Sequence, residues 1–124
     1  MSDKFAHRSH RDLLVWQRAI VLGCACYRAA KLLPRSERYE LGSQLRTSAA
    51  SVHSNIAEGK GRRSPAEYAH FLSIARGSAG EVDSHLAFAE ALGFLKKEEI
   101  REAEQLADEV IRMLSAMMRK LAPL

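Results

Sequence analysis

The sequence predicts an all-α fold, an antiparallel up-down-up-down four-helix bundle, and three observations carry that expectation. Apolar residues recur at intervals of three and four in four successive segments. Nowhere do apolar and polar residues alternate in short runs bounded by hairpin turns, as strands require. The segments are joined by short links containing proline or glycine, and short links make sequential helices antiparallel. At 124 residues the chain suits one domain with one core.

The first helix is expected over 12–32, after a flexible basic arm of residues 1–11. Leu13, Trp16, Ile20, Cys24 and Tyr27 give its inward stripe, Asp12 its N-cap and Pro34 its limit. Cys24 and Cys26 lie two apart, point to different sides of a helix and cannot readily pair, so both are read as small buried hydrophobes. The second helix is expected over 36–58 with Leu41, Leu45, Val52 and Ile56 inward, and with left-handed Gly59 and Gly61 ending it. The third is expected over 64–92. It opens with Ser64-Pro65-Ala66-Glu67, a capping box with proline at the first helical position, and turns Tyr68, Phe71, Ala75, Ser78, Val82, Leu86 and Ala89 inward. The fourth is expected over 96–121. Ile100, Ala103, Ala107, Val110, Leu114, Met117 and Leu121 form its unbroken seam, and Pro123 closes the bundle that fills residues 12–124.

No apolar run approaches the roughly 20 residues that span a bilayer, and the first residues lack the apolar stretch of a secretion signal, so a cytoplasmic location without membrane attachment is expected. Lys and Arg number 19 against 15 Asp and Glu, a net charge of +4 that favours polyanions without identifying one. Where the charges are missing says more. From Thr47 to Ala57 the second helix has no Lys, Arg, Asp or Glu, and off its core stripe lie Thr47, Ala50, Ser51, Ser54 and Ala57. Small residues let another helix approach, whereas a solvated face carries long charged chains, so these five are the expected interface between copies of a homo-oligomer. The third helix repeats the theme with Gly77-Ser78-Ala79-Gly80, whose glycines cost about 1 kcal/mol each relative to alanine and are read as sites of close packing.

Five segments in order, DLLVWQRAI, LPRSERYELGSQLR, SNIAEGKGR, SPAEYAHFLSIARGS and ALGFL, resemble the four-helix-bundle proteins encoded within intervening sequences of bacterial 23S ribosomal RNA genes. The resemblance spans nearly the whole chain, with Trp16, Asn55, Glu58, Gly59, Gly61, Arg62, Ser64, Glu67, Gly77 and Ser78 as its signature positions. It implies a left-turning bundle and ring-shaped homopentamers. A related protein of diversity-generating retroelements, which partners a reverse transcriptase and binds nucleic acid, implies RNA or DNA and a reverse transcriptase or ribosomal component as partners. His53 stands where many members of that family place a proline, so a kink implied by the resemblance does not carry over to this position.

Candidate chemistry is sparse. One Glu-x-x-His spacing, Glu67 to His70, is half of what a di-iron bundle needs, and Glu67 is already the capping acid. Serine, histidine and aspartate occur without a strand-turn-helix elbow, and Gly59-Lys60-Gly61 follows a helix where a phosphate loop follows a strand. No catalytic residue, metal or cofactor is expected.

The segment Asn55 to Arg63 admits two readings. Structurally, its glycines turn the chain while Arg62 and Arg63 satisfy helix-end carbonyls or pair with Glu58. Functionally, Lys60, Arg62 and Arg63 form a basic loop beside the positive start of the next helix, suited to a phosphate. Arg46, His53 and Lys60 recur every seven residues along one flank of the second helix, and Arg8 and Arg11, with Lys4, His7 and His10, add basic groups in the arm. The function these features favour is a non-enzymatic oligomeric scaffold that binds nucleic acid through phosphates. Its competitor is a ring-forming protein-interaction module that touches no nucleic acid.

Overall fold

The computed structural model of the protein describes residues 9–122, and among them all regular structure is helical. Helix α1 spans Leu14–Lys31, α2 Leu41–Lys60, α3 Pro65–Ala91 and α4 Lys97–Leu121. Each packs on its neighbours in sequence, and α4 closes on α1. The directions follow from paired positions. Arg18 meets Glu109 and Arg28 meets Glu102 across α1 and α4, while Ser51 meets Ser78 and Trp16 meets His53 across the other seams. Rising numbers meet falling numbers between α1 and α4, and again between α2 and α3, where Gly59 meets Tyr68 and Phe71, so these pairs run antiparallel.

A short 3-10 turn at His10–Asp12 precedes α1, capped by Ser9, whose side chain accepts from the Arg11 N–H at 3.1 Å. Residues 9–11 are thus folded onto the bundle, not part of an arm, whereas Lys4, His7 and Arg8 lie outside the described residues. Leu13, in extended conformation, occupies the N-cap position assigned to Asp12. The core face of α1 is also rotated from the expected stripe. Val15, Ala19, Leu22, Cys26 and Ala29 are buried, whereas Cys24 and Tyr27 are exposed and Trp16 and Ile20 half-buried. Both stripes are apolar, and the one with smaller residues takes the centre because it lets α1 sit close to its neighbours.

Helix α2 starts five residues later than expected. Pro34 opens a second 3-10 turn, Arg35–Glu37, and Leu33 and Leu41 on either side of the link are both buried, so tertiary anchoring sets the start of the helix. Leu41, Leu45, Val52 and Ile56 face the core as predicted. The end of the helix does not follow the expected mechanism. Gly59 lies inside it, and Gly61 closes it at φ −82°, an ordinary right-handed value. The only left-handed residue described is Gly93, at φ 80°. There the N–H of Gly93 reaches the carbonyl of Glu90 and that of Phe94 reaches Ala89, both at 2.9 Å, the paired bonds of a glycine-terminated helix.

Gly59 is needed for a different reason. A Cβ built on it would lie 3.0 Å from the Phe71 Cβ, 3.0 Å from the Tyr68 Cδ1 and 3.2 Å from the Tyr68 carbonyl. The backbone of α2 therefore touches α3 where any side chain would push them apart. Gly77 and Gly80 show the opposite: both are exposed, with nothing within 4 Å of an added Cβ, so packing within the chain does not account for them.

Ser64 caps α3 by accepting from the Glu67 N–H at 3.1 Å, while the Glu67 carboxylate accepts from the Ser64 hydroxyl at 3.3 Å. A return bond unmarked by a serine opens α4, where Glu99 Oε1 accepts from the Lys96 N–H at 2.8 Å. The α4 seam from Ile100 to Leu114 is buried, with Met117 and Leu121 half-buried beyond it.

These glycines make a paired prediction for urea denaturation. Gly59→Ala should lose about 1–3 kcal/mol through overpacking, whereas in the isolated chain Gly77→Ala and Gly80→Ala should each gain about 0.5–1 kcal/mol from helix propensity. A Gly59→Ala protein as stable as the parent would remove close approach as the constraint on α2 and α3.

Candidate nucleic-acid interface

The rotation of α2 decides where its polar residues go. With Leu45, Val52, Ile56 and Gly59 inward, Thr47 and Ser54 point away from the bundle and are exposed, and Ala50 and Ala57 are half-buried beside them. Ser51 belongs to the chain's own packing. Its hydroxyl accepts from Ser78 Oγ at 2.8 Å and from Asn55 Nδ2 at 2.9 Å, joining α2 to α3. Of the five expected interface positions, Thr47 and Ser54 are the freest, and Ala50 lines the cleft between α1 and α2.

The opposite flank of α2 faces α1. Arg46, His53 and Lys60 lie along it, all half-buried, about 10 Å apart by helical rise. His53 meets Trp16 edge to face at 6.5 Å, and Trp16 also receives His10 at 5.0 Å and the Arg11 guanidinium at 5.7 Å. The indole Nε1–H of Trp16 is buried without an acceptor, a cost of about 1–3 kcal/mol offset by the ring's packing. Arg46 donates to the Arg38 carbonyl at 3.0 Å, tying the α1–α2 link to the same flank.

Two adjoining clefts follow this seam. One of about 500 Å³ is floored by Ile20, Gly23, Tyr27, Ala50 and His53, with Arg28 and Lys31 at its edge. The other, about 400 Å³, shares Tyr27 and Lys31 and adds Arg38 and Arg46. Among the described residues no carboxylate lines either cleft. Arg28 is paired with Glu102 at 3.0 Å, but both side chains are well exposed and such a pair contributes little. Lys31, Arg38 and Arg46 make no ion pair among the described residues.

The basic loop after α2 divides differently. Arg62 pairs with Glu58 at 2.6 Å and lies over the Phe71 ring at 4.6 Å, so it fastens the turn to α3. Arg63 is exposed and Lys60 half-buried, and neither has an ion pair among the described residues. Of the residues singled out in the sequence, Arg11 and His53 meet at Trp16, Arg46 lies further along the same seam, and Arg62 is apart from them. The sequence reading missed Arg28, Lys31 and Arg38, and it assigned Ile20, Cys24 and Tyr27 to the core. The signal lay in α1 itself, whose two adjacent apolar stripes are broader than one core contact needs.

Burial shapes the titration of three groups. It pushes the Cys26 thiol up to about 12 and raises the Tyr68 phenol, and it lowers His53, helped by the nearby His10. Cys24 is exposed at the cleft. Among the described residues no three His, Cys, Asp or Glu side chains converge as a metal site would, and no helix is long and apolar enough to cross a membrane.

The model of the 23S rRNA-intervening sequence protein family matches residues 11–116. No curated protein matches the chain in sequence. Among solved structures, the bundle is similar to a protein of unknown function from the S23 ribosomal protein family of Bacteroides thetaiotaomicron. The TM-score is 0.80 at 19% identity, over 86% of this chain and 99% of that one, a likeness of fold.

His53 gives a pH test. Its folded pKa lies below the ordinary 6.5, so at acid pH the unfolded chain binds more protons there than the native state does. The contribution of His53 to stability is therefore greatest above 6.5, falls as pH drops through the window down to the lowered value, and levels off beneath it. Urea denaturation across that window should show a shallower fall for His53→Gln than for the parent. Identical slopes would place the titration elsewhere.

Proposed function

The chain belongs to the 23S rRNA-intervening sequence protein family, and on that premise we propose that it is a non-enzymatic, self-assembling scaffold that binds RNA or DNA through phosphate contacts. The observation that carries this reading is the seam between α1 and α2, where Lys31, Arg38 and Arg46 gather without a lining carboxylate and Arg11 sits at the Trp16 end. Uncompensated cations on a fixed surface attract a polyanion by releasing its counterions. Lys60 and Arg63 add two more at the end of α2. In a cytoplasmic homopentameric ring, as the family resemblance suggests, each basic surface is repeated and weak phosphate contacts are multiplied by avidity.

Self-assembly is supported by the charge-free outer face of α2, at Thr47 and Ser54, and by Gly77 and Gly80 in open space on α3. A second reading, recruitment of a partner such as a reverse transcriptase or ribosomal component without nucleic-acid contact, is favoured by exposed apolar residues at the far end of α3, where Phe88 is 55% and Leu92 47% accessible.

Light scattering tests assembly: the parent should be larger than a monomer, and Thr47→Glu with Ser54→Glu should leave a folded monomer. A monomeric parent would overturn the self-assembly reading. Binding to a short RNA is expected to weaken linearly on logarithmic salt axes, with a slope reduced by about one for each neutralised contact among Arg46, Lys60 and Arg63. Arg62→Gln should act chiefly on stability. Binding indifferent to salt, or none at low salt, would transfer the function to the protein-interaction reading.

A further inference from the structure

We infer that the groove between α1 and α2 is a track for a single nucleic-acid strand, with bases against Ile20 and Tyr27 on its floor and phosphates on Lys31, Arg38 and Arg46 along its rim. The inference rests on the nucleic-acid reading above and goes beyond it by naming the strand form and the place. Two properties coincide in this groove. Its floor is apolar and partly aromatic, and the charges at its edges are all positive.

Duplex nucleic acid presents phosphates outward and hides its base faces, so it would use the rim and leave the floor in water. A single strand offers apolar base faces and a charge on every unit, matching floor and rim together. Tyr27 is the residue that separates the two. The residue is 48% accessible and lines both clefts, with Lys31 beside it one turn further along α1. Towards the other end of the seam the same alternation returns, with Arg11 over the Trp16 ring and His53 against its edge. Aromatic faces interleaved with cations characterise surfaces that bind single strands without reading sequence. Arg28 is a reserve cation, since its exposed pair with Glu102 exchanges readily for a phosphate.

Cys24 provides a reporter built into the groove. It is exposed and lines the cleft, whereas Cys26 is buried with its thiol pushed up to about 12 and stays silent towards alkylating reagents. The experiment combines fluorescence anisotropy at low salt with iodoacetamide alkylation of the full chain. The probes are a uridine strand of about ten nucleotides and an RNA duplex of the same length. The strand is expected to bind at least about tenfold more tightly than the duplex and to protect Cys24 at saturation. Tyr27→Leu should weaken the strand about five- to tenfold without changing the salt slope, while Lys31→Gln should flatten the slope.

Salt-dependent binding that leaves Cys24 alkylation unchanged, or equal binding of strand and duplex, would overturn the groove and leave the scaffold reading standing. Cys24 protected without RNA and released when the assembly dissociates would make the groove an interface between copies. Equal protection by poly-glutamate would assign it to acidic protein segments. Both results overturn the track, and failure of either RNA to bind at low salt removes the groove and the nucleic-acid reading together.

Discussion

The contact on which the architecture depends is the approach of α2 to α3 at Gly59, where the missing Cβ leaves room for Tyr68 and Phe71. One backbone contact of this kind fixes the rotation of a helix about its axis more tightly than a broad apolar stripe does, because only one face offers it. With Gly59 turned to α3, Ser51 meets Ser78 two turns away and Arg62 falls across Phe71. The flank carrying Arg46, His53 and Lys60 is then turned towards α1. The electrostatic character of the α1–α2 seam is thus a consequence of steric packing on the far side of α2.

Charge distribution completes that arrangement. Acids are dense on the outer face of α4, and two of them, Glu102 and Glu109, reach Arg28 and Arg18 on the neighbouring side of α1. These pairs are exposed and contribute little stability, yet they occupy the acids on one side of α1. On its other side Lys31, with Arg38 and Arg46 across the seam, meets no carboxylate in the cleft lining. Lys31, Arg38 and Arg46 thereby form a local cationic cluster, which total composition does not reveal.

The elements legible in the sequence were those whose local and tertiary signals agree. The seam of α4, the Ser64 start of α3 and the stripe of α2 follow from spacing because no second apolar face competes with the first. Helix α1 carries two apolar faces. Spacing placed Trp16, Ile20 and Tyr27 inward, but close packing at the centre favours Ala19, Cys26 and Ala29, and the large residues fill the seam instead. The cleft was illegible for the same reason: its floor consists of residues read as core. Gly59 was expected to supply a left-handed turn and instead supplies an absent side chain, since a glycine in a helical run looks the same in either role, and the left-handed conformation falls at Gly93. Arg62 was open to either reading because its partners, Glu58 and the Phe71 ring, are fixed by the turn itself.

Core and surface answer to different physical constraints. A bundle core needs apolar volume at a repeating position, and many side chains satisfy that condition, so a similar backbone is compatible with a very different sequence. The seam is under no such rule. Arg38, Lys31 and Tyr27 do not hold the helices together: they are exposed, and the buried residues beneath them suffice for packing. Glycines in open space on α3 likewise weaken the isolated chain without an internal return. Packing within the monomer therefore explains the core residues but not the open glycines of α3 or the exposed residues of the seam.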